Sequence, residues 1–591
     1  MISGLHVAVL AGCLLWLLRI LAVPVALALP VTAATVWLYA LLAGGRAPVI
    51  RAAGGFTLYL IARYFYRRTR ILNLLAAVAG VFLMADPYQM FEASFQLSFL
   101  SVAAIGALAA PLLEVTSAPL ARGLKALSDA GRDPGLPVGL AMFRVEMRLL
   151  AQTAALWSRL PERLWLLILA AVVRALLYVY DLAVISAAVQ AGLALPMILY
   201  FHRLSVTGLF ANTIVVPLVS LAVPLGFLAV FTNGNWAAGL ARHLLAWAEA
   251  TVRWCADIEP HWRVPDPPLA LALGFVAVLL ATPWAFRRGG KLRLVTLFPA
   301  LVLLALMLWH PFGPKIAPGR LEVTAIDVGE GDSLLIATPA GKLVLVDAGG
   351  IVRYAAGRPQ RLDIGEDVVS PYLWSRSIRR LDAVAFSHTD EDHVGGMAAV
   401  IRNFRPRQLW AGAGQGPDWA LLRYEALRQG SRVLRLETGQ SFNFGGARFD
   451  VFSAGGPNHK NDSLILRVSY RHHAFLLTGD AEHGLENDLL AQPAGLRSEV
   501  LKVAHHGSKT STQEAFLDAV RPAFALISVG FENPFHHPHP AVLHRLARRS
   551  IMCLRTDTQG CVSICTDGVK FRVQTFRDAS PGALAWRQDP F

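Results

Sequence analysis

Ser387-His388-Thr389-Asp390-Glu391-Asp392-His393 decides the reading of this chain, because two histidines and two aspartates fall within six residues directly after the apolar run 383–386. A short apolar run reads as a strand, and a loop hung on a strand's C-terminal end is held rigidly enough to build a site. The spacing lets His388 and Asp390 approach one cation while Asp392 and His393 turn toward another. Two further clusters also follow apolar strands: Thr478-Gly479-Asp480, and Ala504-His505-His506-Gly507-Ser508. Asp480 can bridge two cations because a carboxylate has two oxygens, and one of His505 or His506 completes the set. One acidic loop is an ordinary solvated turn, but three such clusters in order behind successive strands point to a metal centre. Cations about 3.5–4 Å apart neutralise charge building up on a phosphoryl oxygen, so Asp392 and Asp480 are the expected catalytic carboxylates. His459, His472, His473, His536 and His537 read as surface or turn histidines, whereas His539, between Pro538 and Pro540, is placed to line the cleft and donate to a phosphate.

Outward from that loop the chain divides by solvent. It has 591 residues, of which only 16% are charged, and its mean hydropathy is +0.46, which no set of purely water-soluble domains would average to. Long apolar runs occur between 7 and 310, while later runs last only as long as a strand. We therefore read 1–310 as a polytopic α-helical membrane domain, 311–320 as a proline-stiffened linker, and 321–591 as an α/β domain. The net charge of +14 follows from arginine-rich loops on one membrane face, or from surfaces that meet a polyanion. Five cysteines without a Cys-x-x-Cys pair read as packing residues, with Cys561 and Cys565 able to pair in an oxidising compartment.

Candidate spans are 7–22, 24–43, 48–66, 71–85, 94–113, 164–180, 183–200, 207–231, 267–286 and 293–310. The clusters Arg63-Arg67-Arg68-Arg70 and Arg287-Arg288-Lys291-Arg293 should both face the cytoplasm. Alternating crossings between them close in parity, which sends the last span outward and places everything after Trp309 on the extracytoplasmic face. This requires 164–180 and 183–200 to be separate spans. Stretch 233–264, with Trp236, Trp247, Trp254 and Trp262, reads as a helix lying in the membrane surface. Polar residues inside the apolar runs should face other helices or water, since a charge at a helix centre costs roughly 2.5–3.5 kcal/mol on insertion scales. His6, Gln96, Ser98 and Asn212 are accordingly the candidates for lining a conduit.

With these residues in view the chain resembles the ComEC family, the DNA-internalisation channels of natural competence. In the membrane half the resemblance rests on Ile2-Ser3-Gly4-Leu5-His6, Asp86-Pro87, Phe95-Gln96-Leu97-Ser98-Phe99 and the run from Pro196 through Asn212 to Pro217. In the other half it rests on Asp327-Val328-Gly329-Glu330-Gly331-Asp332-Ser333, Val346-Asp347-Ala348-Gly349, the 387–396 loop, Asn461-Asp462-Ser463-Leu464, Thr478-Gly479-Asp480, 501–508 and Arg555-Thr556-Asp557. The resemblance implies a metallo-β-lactamase-like αββα domain with two divalent ions, Mn or Zn with Mg also possible, behind a multi-pass inner (plasma) membrane channel. One strand of transforming DNA would pass and the other would be hydrolysed, with a cytoplasmic helicase or single-strand-binding protein among the competence partners. His388, Asp390, Asp392, His393, Asp480 and His505 or His506 would hold the metals, with Asp327, Asp332, Asp347 and Asn461 behind them. Lys502, Ser508, Lys509 and His539 would meet phosphate.

Three departures qualify the likeness. Asp390 stands where metallo-β-lactamases usually carry histidine, and a harder oxygen ligand moves preference from zinc toward manganese or magnesium. The histidine that usually precedes the bridging aspartate is replaced near Asn461, and the usual N-terminal oligonucleotide-fold segment is absent from this sequence. Two rival readings stand beside this one: a membrane-anchored metallohydrolase of some other phosphodiester, and a DNA channel whose second domain binds without cutting.

Overall fold

The computed structural model describes residues 4–65, 70–260, 262–288, 292–351, 362–412, 417–455, 463–491, 495–577 and 586–587. They form two compact units, Met1–His310 and Pro311–Phe591.

The first unit is helical. Val25–Leu42, Ala93–Val115, Glu162–Phe201, Gly208–Thr232 and Leu269–Phe286 are long and apolar enough to cross a membrane, and His6–Ile20, Ile71–Ala85 and Val295–Trp309 are shorter apolar helices. Glu162–Phe201 is one uninterrupted helix of 40 residues, roughly 60 Å long at 1.5 Å per residue. A helix that does not turn back crosses only once, so the separate spans expected at 164–180 and 183–200 are a single element. The parity that would have set the face of the second unit therefore fails. Arg174 and Asp181 interrupt the hydropathy there, but no glycine or proline stands between 174 and 190 to break the helix.

Asn235–Ile258 is a separate helix that exposes Trp236, Trp247 and Trp254, as a helix lying in the membrane surface would. Between Val115 and Trp157, Arg144 is buried to 1% exposure. Its guanidinium donates to Asp133 and to the carbonyls of Gly123, Lys125, Ala126 and Asp129. Five acceptors around one planar fork compensate the desolvation of a charge that would otherwise be expensive to bury.

The second unit is the expected αββα sandwich. One sheet contains β1 (Leu321–Ala325), β2 (Leu334–Ala337), β3 (Leu343–Val346), β4 (Ala383–Ala385), β5 (Gln408–Ala411) and β6 (Arg432–Arg435). The other contains β7 (Ser441–Phe444), β8 (Ala447–Ala454), β9 (Leu464–Tyr470), β10 (His473–Leu477), β11 (Val500–Lys502), β12 (Phe524–Ile527) and β13 (Met552–Arg555). The chain then returns to the first sheet through β14 (Val562–Thr566), β15 (Phe571–Thr575) and β16 (Trp586–Arg587), giving the order β16-β15-β14-β1-β2-β3-β4-β5-β6. The second sheet runs β13-β12-β11-β10-β9-β8-β7.

Between the sheets the inward side chains of β1–β4 meet those of β8–β12, and Trp410 lies edge-on to Phe442, Phe444 and Phe449 at 5.1–5.4 Å. Each such pair contributes about 0.5–1.5 kcal/mol beyond area burial. Helices cover both outer faces, 397–404 and 417–428 on one and 483–491, 514–520 and 540–548 on the other. β3, β4 and β5 are mutually parallel, as are β10, β11, β12 and β13. Parallel strands bring their C-terminal ends to one edge, so the loops after β3, β4, β10 and β11 can converge there. Cys561 and Cys565 are both free. Four residues of extended chain span about 13 Å, too far for the disulfide that the sequence left open.

Candidate metal centre

The His388 loop lies against its neighbours with no room for a side chain between them. A Cβ on Gly350 would come within 1.7 Å of the Glu391 carbonyl oxygen, and one on Gly331, whose φ is +130°, within 2.3 Å of that of Asp392. Glycine at both positions lets the loops after β3 and β1 pack directly on the short helix Glu391–Val394.

β3 and β4 pair Val346 with Ala385, which sets Asp347 beside Ser387. Asp347 Oδ1 accepts from the Ser387 amide at 2.7 Å, Oδ2 accepts from the Ser387 hydroxyl at 2.8 Å, and His393 Nδ1 lies 3.0 Å from Oδ2. Ser387 Oγ is also 3.0 Å from His388 Nδ1. His506 Nδ1 lies 2.9 Å from the Ser528 carbonyl oxygen, and an N–H donated there leaves Nε2 with its lone pair. In all three rings Nδ1 is engaged from behind and Nε2 is turned to the centre, the tautomer a metal ligand needs.

Asp480, 3% exposed, stands in the middle. Its Oδ1 is 3.2 Å from His393 Nε2 and 3.8 Å from His506 Nε2. Its Oδ2 is 3.7 Å from His505 Nε2 and 4.0 Å from His388 Nε2. Asp392 Oδ2 lies 3.4 Å from His506 Nε2 and 3.9 Å from His393 Nε2, and Asp390 Oδ2 lies 3.5 Å from His388 Nε2. Asp392, His393, Asp480 and His506 each offer one ligand atom within 4.8 Å of the others. His505 and His506 can both face Asp480 because they occupy consecutive left-handed conformations, φ +49° and +52°, before Gly507 at +82°. Such backbone persists only where the surroundings hold it, and it turns neighbouring side chains to one centre.

His388 Nε2, His393 Nε2, His506 Nε2 and Asp480 Oδ1 are buried without a hydrogen bond. Buried polar atoms are ordinarily paired, so three orphaned imidazole nitrogens around one orphaned carboxylate oxygen fit a divalent cation. The charge distribution agrees. Burial pulls His393 and His506 down, but Asp480 and its neighbours outweigh it and raise both, His393 well above the usual imidazole range. Burial pushes Asp392 up, and His506, with Nε2 3.4 Å away, together with the charge of His393 brings it down to about 2. Without a cation, protons on the imidazoles supply the positive charge that the carboxylates require.

Two consequences follow from these directions. A cation needs neutral imidazoles, so its affinity should rise with pH, with protons released on binding until His393 and His506 are deprotonated. Calorimetric titration in buffers of different ionisation enthalpy reads this directly, and an affinity flat from pH 6 to 9 would contradict it. For the metal-free protein the sign reverses. Raised imidazoles contribute stability that is complete below their unfolded value of about 6.5 and is lost as pH climbs through the folded values.

The other sequence candidates separate. Asp332 lies 3.8 Å from His393 Nδ1 and 3.7 Å from His506 Nδ1, within the support of the centre, and forms a second group with Asp347 and His393. Asp327 is exposed and accepts from the Gly329 amide at 3.3 Å, outside that support. Asn461 lies outside the described residues. Lys502 does not reach the surface: it is 1% exposed, ion-paired to Asp332, and donates to the Gly479 carbonyl at 3.2 Å. As the last residue of β11 it points inward, which corrects its expected role as a phosphate contact. Ser508 is buried with its hydroxyl 3.1 Å from that of Thr510, leaving Lys509 as the exposed cation of the loop.

His539 Nδ1 accepts from the Ala541 amide at 3.1 Å and caps the helix Pro540–Arg548, which leaves Nε2 as its donor. The residue near the centre is His537, which the sequence reading set aside. Its ring lies 5.9 Å from that of His505 and 6.5 Å from that of His506, stacks on Phe535 at 5.8 Å, and places Nδ1 3.4 Å from Glu330 Oε1. Glu330 stands 207 positions away in sequence, so no local spacing could have shown the pair.

Of the conduit candidates, Gln96 donates to the Met90 carbonyl at 2.9 Å and accepts from the Tyr200 hydroxyl at 3.0 Å. Ser98 accepts from Arg51, His6 lies on the first helix, and Asn212 is exposed.

Comparison with known families places two matches in the same order. The competence protein family matches residues 1–289 and the metallo-beta-lactamase superfamily matches 326–530. The chain is 27% identical to ComE operon protein 3 of Bacillus subtilis over 97% of its own length and 68% of that protein. It is 32% identical to competence protein ComA of Neisseria gonorrhoeae over 58% of its length and 45% of the relative. It is 27% identical to recombination protein 2 of Haemophilus influenzae, covering 89% and 62%. The chain thus spans about two thirds or less of each of these relatives.

Proposed function

We propose, from the premise that this chain belongs to the ComEC family of competence proteins, that it takes part in DNA uptake at the inner membrane. In this reading the unit Met1–His310 passes a single strand, and the unit Pro311–Phe591 hydrolyses phosphodiester bonds with two divalent cations. The observation that carries the second half is the division of ligand atoms about Asp480. Oδ1 faces His393 and His506, beside which Asp392 lies, while Oδ2 faces His388 and His505, with Asp390 beside His388. Bound there, two cations would neutralise charge on a phosphoryl oxygen and lower the pKa of water.

The chain's own residues do the rest. Asp347 and Ser387 orient His388 and His393, and Ser528 orients His506. Lys502 balances the carboxylates from within. His537, partly buried and held by Glu330 beside His505, is placed to donate to a phosphate. His537→Ala should keep metal content unchanged and lower DNA hydrolysis about a hundredfold in kcat/KM, the scale of a lost oxyanion donor; a variant as active as wild type would remove it from the site. Asp390 gives the outer ligand group an extra oxygen, so Mn²⁺ is expected to support more activity than Zn²⁺.

The whole reading is tested by incubating purified full chain with Mn²⁺ and a duplex labelled on either strand. Cleavage of DNA is expected. Hydrolysis of a small phosphodiester with DNA untouched would favour a membrane-anchored hydrolase of another substrate. DNA bound but uncut in every divalent cation would favour a binding domain.

A further inference from the structure

Exposed arginines gather at one edge of the second unit. β4, β5 and β6 run parallel with Ala383, Gln408 and Arg432 in register, so the segments that lead into them, 376–382, 405–407 and 428–431, lie side by side. The Arg407 amide donates to the Leu381 carbonyl at 3.2 Å, the Arg432 amide to that of Arg407 at 2.9 Å, and Arg380 Nε to that of Arg405 at 3.1 Å. Arg379, Arg380, Arg405, Arg407, Arg428 and Arg432 are all exposed there. Asp382 is the only carboxylate in those segments, and Lys342 already meets it at 2.9 Å. The loops of the metal centre leave the opposite, C-terminal ends of β3 and β4.

Two observations point to what covers this edge. The first is where the chain enters the unit. The Lys315 amide donates to the Arg376 carbonyl at 2.8 Å, Lys315 Nζ to the Ser375 carbonyl at 2.8 Å, and Arg376 Nη2 to the Lys315 carbonyl at 2.7 Å. The linker is thus fastened to the same edge. Lys315 follows Trp309, the end of the apolar helix Leu292–Trp309, by six residues. Such a stretch reaches at most about 22 Å, which keeps the arginines close to the headgroups where that helix emerges. The second is an apolar pair beside Arg428. Tyr424 and Leu427, in the last two turns of the helix Pro417–Arg428, are 64% and 53% exposed. Basic side chains around exposed apolar ones suit the boundary between anionic headgroups and acyl chains. A nucleic acid offers the same anion but no apolar layer to receive a leucine.

We propose that this arginine edge docks on a membrane surface carrying anionic phospholipid. Seating one edge of the parallel strands on headgroups turns the other, with the metal centre, toward solution, where a polymer can reach it. The inference goes beyond the reading above and stands whether or not the centre cuts DNA.

The test uses the full chain in nanodiscs of phosphatidylcholine, alone or mixed with phosphatidylglycerol, each doped with a phospholipid that is photoreactive at its headgroup. In mixed discs the cross-links should fall in 376–382, 405–407 and 424–432 and spare the 387–393 loop. They should weaken as salt rises, because counterions screen exposed charges. Arg428→Gln combined with Arg432→Gln should lose most of them, at about fivefold in affinity for each arginine removed. Lysine at both positions should keep them, since charge and not the guanidinium fork is what the surface reads. Tyr424→Ser with Leu427→Ser should remove the cross-linking that survives high salt. Cross-links equally strong in phosphatidylcholine alone, or undiminished in the glutamine variant, overturn the proposal. So does their absence from this edge, and a photoreactive duplex that cross-links there instead assigns the edge to nucleic acid.

Discussion

Asp480→Asn is expected to abolish divalent-cation binding and to lower phosphodiester hydrolysis by a factor on the order of a thousand or more, as happens when one member of a group acting as a unit is removed. The two Asp480 oxygens face different ligand groups, His393 at 3.2 Å on one side and His505 at 3.7 Å on the other. Asparagine keeps the size but replaces one oxygen with an amide that turns its hydrogens toward a cation. Burial pushes the Asp480 carboxyl up, yet His393, His506 and Lys502 hold it well below the usual carboxylate range. Its negative charge is thus already present before any cation arrives. Metal content and hydrolysis measured together on purified variant give the answer, and full metal content in Asp480→Asn would contradict the bridging role.

Lys502→Met is expected to destabilise the second unit of the metal-free protein by about 3–5 kcal/mol, the usual cost of removing one partner of a buried pair. Lys502 and Asp332 are each 1% exposed. Burial draws the Lys502 ammonium down, but the carboxylates of Asp332, Asp480 and Asp347 more than restore it. Without that ammonium three acidic groups share one interior. Asp332→Asn in the same chain should recover part of the loss, since neutralising both partners leaves no uncompensated charge. Chemical denaturation of the single and double variants measures both terms. A Lys502→Met protein as stable as wild type, with weakened DNA affinity, would restore Lys502 to the role of a phosphate contact.

The parts legible in the sequence were those written in contiguous residues. The 387–393 loop, Thr478-Gly479-Asp480 and His505-His506 each end an apolar run, so strand, turn and ligand could be read together. The αββα sandwich came with the family resemblance that those motifs carry.

What depended on partners remote in sequence was not legible. Lys502 looks like a surface cation until β11 is seen to point it at Asp332. His537 has the composition of a turn until Glu330 is found beside it. Arg51 lies in a stretch read only as a possible span, and its partners Ser94 and Ser98 come from another helix. Hydropathy also treated Asp181 as a boundary, although helix formation responds to backbone geometry and has no reason to stop at a charge.

If one carboxylate divides these imidazoles and acids into two cation sites, crystals of the full chain grown with Mn²⁺ and measured at its absorption edge should show two anomalous peaks flanking Asp480, one between His393, His506 and Asp392 and one between His388, His505 and Asp390. No peak at Asp480, or peaks that persist unchanged in Asp480→Asn, would contradict it.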